Sequence, residues 1–325
     1  YTPEAAGGLG MGRLDASLIV EELAKGCTTT AAFLTIHNMA TAMIGKYCQQ
    51  SVVEEWCPEL VMGEKLASYC LTEPGSGSDA GAMRSRALRD GDHYVLNGSK
   101  AFISGSGVSD IYVAMVRTGD EGAKGVSCFI IEKGTPGLSF GANEKKMGWN
   151  NQPTAQVIFE DCRVPVENRV GEEGEGFKFG MMGLDGGRLN IAACSLGTAQ
   201  RAFEKALEYA KDREQFGQSI AEFQAIQFKL ADMATDLEAA RLMLYEAAKT
   251  LDEGKPEKTR KSAMAKRFVT DTCFNVANEA LQIHGGYGYL QDYEVERMVR
   301  DLRVHQILEG TNEIMRMIIA RDLLK

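Results

Sequence analysis

Glu309 has more chemical potential than any other residue in the chain. It lies in the segment Val304-His305-Gln306-Ile307-Leu308-Glu309-Gly310-Thr311-Asn312-Glu313-Ile314. A carboxylate follows a run of apolar residues. A glycine and two residues suited to capping, Thr311 and Asn312, then open what reads as the last helix. An acid held at a helix junction against apolar neighbours is partly desolvated, which raises its pKa toward the range of a general base. The competing reading is a surface glutamate on a turn, and spacing alone does not decide between them.

Five other segments have residue types suited to holding a ligand. Tyr69-Cys70-Leu71-Thr72-Glu73-Pro74-Gly75-Ser76-Gly77-Ser78-Asp79 runs from a strand into a turn of small hydroxyl residues. Its glycines loosely match a dinucleotide fingerprint, but that fingerprint needs a helix immediately after it. Here Gly81, Arg84 and Arg86 lead into another strand. Free backbone N–H groups with the Thr72 and Ser78 hydroxyls suit a heteroaromatic edge and a phosphate; an ordinary glycine turn is the alternative. Lys100-Ala101-Phe102-Ile103-Ser104-Gly105 sets an aromatic and then a hydroxyl at a strand end. Phe102 could lie against a planar cofactor, or be a core aromatic. Asp212-Arg213-Glu214-Gln215-Phe216-Gly217 holds a guanidinium suited to phosphate, or to a surface ion pair. Gln282-Ile283-His284-Gly285-Gly286-Tyr287-Gly288 ends a helix with glycines that admit close approach to the backbone, or simply cap it. Asp185-Gly186-Gly187-Arg188 reads as a helix start, with amides and an arginine facing a polar ligand or with Asp185 as a plain cap.

Composition narrows the classes. The 325 residues are 44% hydrophobic and 25% charged, with a net charge of -9. No basic–aromatic stripe is present, which argues against nucleic acid. The eight cysteines are scattered without a C-x-x-C pair and read as reduced core residues. Four histidines without ligand spacing give no expectation of a metal. No apolar run approaches the roughly 18 residues of a membrane span. No Gly-x-Ser-x-Gly elbow supports an esterase reading of His284-Gly285-Gly286.

The elements that must position these groups follow from periodicity. Leu14–Lys25, Thr28–Tyr47 and Ser51–Met62 read as helices. From about residue 68, short apolar runs alternate with Gly, Asp and Asn, and Asp90-Gly91-Asp92 and Asn97-Gly98 are hairpin signals. This predicts an antiparallel β domain. Helices return after Gly171. Ser219 to Glu222 has capping-box form ahead of a run to Ala248, a helix covers Arg260 to Ile283, and Asp292 is placed to cap the helix leading to Glu309. The predicted class is α+β, with domains at 1–67, 68–170 and 171–325.

The ordered set Tyr69–Asp79, Asp212–Gly217, Gln282–Gly288 and Leu308–Thr311 resembles the acyl-CoA dehydrogenase family over essentially the whole chain. The resemblance implies a helical N-terminal domain, a β-barrel and a C-terminal four-helix bundle. The family begins with further helices, so the N-terminal domain reads as incomplete. It further implies FAD, a homotetramer built as a dimer of dimers, and an electron-transfer flavoprotein as partner. By resemblance Tyr69, Leu71, Thr72, Gly77 and Ser78 hold the flavin, as do Phe102, Ile103 and Ser104 beside the ring. Arg213, Phe216, Phe223, Gln224, Gln282, Ile283, Gly285 and Gly286 match contacts to the ADP half of a neighbouring subunit's FAD, and Thr311 and Glu313 match contacts to the subunit's own. Ser78, Asp185, Arg188, Leu308, Gly310 and Arg321 match substrate contacts.

The implied reaction is α,β-dehydrogenation of an acyl-CoA, with Glu309 taking the α-proton while the β-hydrogen leaves as hydride to the flavin. Some members carry the base one residue before the arginine that Arg188 matches. That position is Gly187 here, which leaves Glu309 as the base. The nearest branch acts on short branched chains, with isobutyryl-CoA the expected substrate. Butyryl-CoA, 2-methylbutyryl-CoA or an oxidase reaction are the alternatives. The implied compartment is a mitochondrial matrix or a bacterial cytoplasm.

Overall fold

The computed structural model describes residues 1–325. The helix-type spacing near the start gives α1 (Arg13–Gly26), α2 (Thr28–Tyr47) and α3 (Gln50–Met62). Eight strands follow: β1 (Ala67–Cys70), β2 (Arg86–Asp90), β3 (His93–Ser104), β4 (Ile111–Arg117), β5 (Val126–Glu132), β6 (Leu138–Phe140), β7 (Thr154–Pro165) and β8 (Arg169–Val170). Then come α4 (Gly176–Asp212), a small hairpin of β9 (Glu214–Gln215) and β10 (Gln218–Ser219), α5 (Gln224–Asp252), α6 (Lys258–His284), α7 (Val295–Arg303) and α8 (Asn312–Leu323). The architecture is the predicted α+β order of helices, sheet and helices.

The chain divides into two compact units. The first holds residues 1–11, 33–145 and 151–187. Its sheet runs β6-β7-β3-β2-β4-β5-β8, with β1 beside β4. Most pairs are antiparallel, but β1 and β2 each pair parallel with β4, so the all-antiparallel expectation is corrected. The end strands β6 and β8 do not pair, so hydrogen bonding leaves the barrel open. Both faces of β4 and β5 are covered. Val113, Met115, Cys128 and Ile130 pack with Ile44, Trp56 and Leu60 of α2 and α3. Tyr112, Ala114, Phe129 and Ile131 pack with Leu96, Val157 and Phe159. Burial on two sides explains why these strands read as continuous apolar runs.

The second unit holds residues 12–32, 146–150 and 188–325. In α5 the buried residues Met233, Leu237, Ala240, Leu244 and Ala247 recur every three or four positions. In α6 Val269, Cys273, Val276, Ala280 and Ile283 do the same, which gives each helix one apolar stripe. Glu21 of α1 pairs with Arg241 of α5 at 3.1 Å and accepts from the Tyr245 hydroxyl at 2.6 Å.

Four local expectations are corrected. Asn97-Gly98 is no hairpin turn. It lies inside β3 at a register shift against β7, and a Cβ on Gly98 would sit 2.4 Å from Ser85 Oγ. Ser219 caps only the 3₁₀ turn Ile220–Glu222, and Phe223 stands at the N-cap of α5. Asp292 falls in a separate 3₁₀ turn, so Glu294 is the N-cap of α7. Asp185 to Arg188 lie inside α4. Their amides belong to the helix ladder and are not free for a ligand, which leaves only their side chains for that role.

Candidate active site

Glu309 follows the 3₁₀ turn Val304–Gln306 and precedes Thr311, the N-cap of α8, whose hydroxyl accepts from Ile314 N at 3.3 Å. Its φ is +55°, followed by +86° at Gly310. Two successive left-handed residues turn the chain sharply. The residue as a whole is partly exposed, yet its Oε2 is shut off from solvent and meets no hydrogen-bond partner. The charge sits on the buried tip, so the tip governs its titration. Burial pushes the carboxyl up to about 7, against the opposing charges of Arg188 and Lys266. This is the desolvated acid expected from the sequence.

Lys266 was not foreseen. Its side chain on α6 is fully buried, and Nζ donates to Gly310 O at 2.7 Å and Asn312 Oδ1 at 2.8 Å. Burial pushes its pKa down to about 7. Lys266, Val269 and Cys273 share the apolar stripe of α6. A cation on an apolar stripe is a signal that periodicity could have given. Arg188, expected to meet the substrate, is 4% exposed, and its positive charge bears on Glu309.

In the first unit two hydroxyl loops come together. Ala101 N donates to Thr72 O at 2.8 Å, and Lys100 Nζ to Leu71 O at 3.1 Å. Lys100 also pairs with Glu73 at 2.8 Å, and both are buried. Glu73 accepts from Arg84 N at 2.6 Å and Ser85 N at 3.0 Å, which closes the segment between them. Sequence reasoning missed this pair, because its partners are far apart in the chain. Phe102 is 68% exposed with φ +58°, at a register shift between Lys100 and Ile103. That overturns the core-aromatic reading. Ile103 points into the sheet core. Ser104 Oγ accepts from Gln152 Nε2 at 2.9 Å, and Ser78 and Gly77 are exposed. Tyr69 gives its hydroxyl to Gly180 O at 3.2 Å.

In the second unit Arg213, Ile283, Gly285 and Gly286 share a cleft of about 400 Å³ with Tyr209 and Tyr287. The Arg213 guanidinium lies 5.5 Å from the centre of the Tyr287 ring. A Cβ on Gly285 or Gly286 would meet nothing within 4 Å, so the backbone there stands open to a ligand. Phe216, at the tip of the β9–β10 hairpin, is 95% exposed and edges onto Phe223 at 6.1 Å; Gln224 and Gln282 are also exposed. An open glycine backbone beside an arginine fits a phosphate-bearing cofactor, and exposed Phe102 fits an aromatic ring system. Arg321 lies in the last turn of α8. It stands about 15 Å along α8 from Thr311, at the helix rise of 1.5 Å per residue. No group of three or more His, Cys, Asp or Glu side chains is placed to hold a metal, and no helix is long and apolar enough to cross a membrane.

A desolvated carboxylate and an arginine–glycine cleft, on a helix–sheet–helix chain, are features that a flavin-dependent acyl-CoA dehydrogenase requires. Family models for the N-terminal, middle and C-terminal domains of acyl-CoA dehydrogenase match residues 1–64, 68–162 and 174–324. The chain belongs to that family and is an oxidoreductase and flavoprotein of that kind. Among its relatives is the mitochondrial isobutyryl-CoA dehydrogenase of Bos taurus, 57% identical over 100% of this chain and 78% of that protein. The solved butyryl-CoA dehydrogenase of Megasphaera elsdenii superposes with a TM-score of 0.97 at 44% identity, over 100% of this chain and 86% of that one. A chain in the structure reported as the electron transferring flavoprotein of Acidaminococcus fermentans gives 0.96 at 45% identity, over 99% and 85%.

Proposed function

We propose that the chain dehydrogenates isobutyryl-CoA at its α,β-carbons, with FAD as the flavin and an electron-transfer flavoprotein as acceptor. The observation that carries the reading is the buried Glu309 carboxylate, whose pKa burial lifts to about 7. A thioester α-proton is weakly acidic, so the base must be strong enough to take it and still ionised near neutral pH. A carboxyl titrating near 7 meets both demands. Glu309 takes the α-proton, and its backbone N–H donates to the thioester carbonyl as negative charge builds there. An FAD held beside the base would supply the acceptor for the β-hydrogen as hydride. In the first unit Leu71, Thr72, Phe102 and Ser104 would hold the ring, and in the second Thr311 and Glu313 are the residues the family resemblance assigns to FAD. Ser78 and Asp185 meet the CoA, and Leu308 and Gly310 bound the acyl group.

Arg213, Phe216, Gln224 and the Gln282–Gly286 stretch meet the ADP half of a neighbouring subunit's FAD in a homotetramer. The 95% exposure of Phe216 supports this, because a lone chain gains nothing from it. The short-chain relatives support isobutyryl-CoA over longer acyl groups, and a mitochondrial matrix or bacterial cytoplasm as the compartment. In the test, Glu309→Gln keeps its yellow flavin and loses turnover by about 10²–10⁴-fold. Bleaching of the flavin by a panel of isobutyryl-, butyryl- and 2-methylbutyryl-CoA ranks the substrates. Normal turnover in the variant refutes the assignment of the base, and rapid peroxide formation without an added acceptor points to an oxidase instead.

A further inference from the structure

We infer that Lys266 is the positioning residue of Glu309, tying the turn that carries the carboxylate to α6. This rests on the reading of Glu309 as the base. The turn needs an external tie, because Glu309 holds a left-handed backbone that a side chain other than glycine rarely adopts. Such a conformation persists where its surroundings over-determine it. Lys266 supplies the first tie. Its ammonium holds the carbonyl of Gly310, directly after the base, and the side-chain oxygen of Asn312 at the start of α8. Asp271 supplies the second. Its Oδ1 accepts from Asn312 Nδ2 at 2.7 Å and from Gln306 Nε2 at 2.9 Å. The chain three residues before Glu309 and three residues after it is therefore fixed to one carboxylate on the same helix.

The choice of lysine has a chemical reason. An apolar side chain would leave the Gly310 carbonyl and the Asn312 oxygen buried without these donors. The positive charge also favours the ionised form of Glu309, the form that accepts a proton. Arg188 from α4 adds positive charge, and Asp271 from α6 and Glu313 from α8 add negative charge around the lysine. His305 is buried and adds none, since burial pushes its pKa down to about 3. Lys266 is thus, with Arg188, one of two cations that bear on the base, and it also grips the backbone beside it.

The experiment compares Lys266→Met, Lys266→Arg, Gln306→Ala and Glu309→Gln in the flavin-loaded enzyme. Lys266→Met is expected to keep flavin absorbance while kcat falls about 10- to 100-fold, as a misplaced base does. The acid limb of its kcat/KM profile moves up by about one pH unit, because a neighbouring positive charge is gone. Lys266→Arg returns the limb toward the wild-type position. Hydrogen–deuterium exchange of segment 306–312 rises in Lys266→Met and Gln306→Ala, with or without flavin. A purely structural lysine would not move the acid limb. Should Lys266→Met fail to fold, Lys266→Gln decides through exchange and the acid limb, since it keeps a donor at the site while removing the charge, and Gln306→Ala reports on the Asp271 tie alone. Wild-type kcat, acid limb and exchange in these variants, with Glu309→Gln inactive, overturn the inference. An active Glu309→Gln instead overturns the base itself.

Discussion

Replacing Glu309 with Gln should stabilise the protein at neutral and alkaline pH while abolishing its chemistry. The carboxyl titrates near 4.5 when unperturbed and at about 7 in the fold. A difference of two to three pKa units corresponds to about 3 kcal/mol. The sign follows from linkage. The folded state binds the proton more tightly than the unfolded chain, so this group favours folding fully below pH 4.5. That contribution is lost as pH rises to about 7, above which the fold holds a desolvated charge. A neutral glutamine does not titrate. The stability gap between Glu309→Gln and wild type should therefore widen by about 3 kcal/mol between pH 5 and pH 8. At roughly 2–4 °C per kcal/mol, the melting temperature gap widens by about 6–12 °C over the same range. Denaturant or thermal unfolding at several pH values measures it. Parallel stability–pH curves for the two proteins would show that the carboxyl is not desolvated, and would remove the physical basis for its role.

Two further perturbations separate the loops from the cleft. Lys100→Met leaves Glu73 buried without its cation and should cost about 3–5 kcal/mol in denaturant unfolding, with loss of flavin as the Leu71–Ser85 segment loosens; a cost under about 1 kcal/mol refutes the pair as the anchor of that segment. Gly286→Val adds side-chain atoms where a Cβ meets no neighbour. It should leave flavin-free stability within about 1 kcal/mol of wild type, yet weaken FAD roughly tenfold or more in a titration followed by flavin fluorescence. Unchanged affinity would show that the cofactor does not approach this backbone.

Much of the candidate site was legible in order along the chain. Glu309, Thr311 as a cap, the Thr72 and Ser104 loops and the Arg213–Gly286 cleft all stand in short segments whose residue types state their chemistry. The misreadings arose where a local signal met a non-local constraint. Asn97-Gly98 carries turn chemistry, but its glycine serves the close approach of Ser85. Asp185 has a capping residue's side chain, but α4 runs straight through it. Phe102 has a core residue's type and a surface residue's exposure, because a register shift in β3 turns it outward.

The sequence by itself determined which groups can do chemistry: a carboxylate after an apolar run, glycine in place of the alternative base at 187, and hydroxyl and arginine loops at fixed spacing. Side-chain type and local backbone preference act within a few residues, so they can be read from the chain. Tertiary structure alone decided how the Glu309 carboxyl titrates. Lys266 and Arg188 lie far from it in sequence, and the loss of water around its Oε2 exists only after α6, α8 and the preceding turn have packed. Desolvation and charge act through space, and that is why the pKa of Glu309 belongs to the fold.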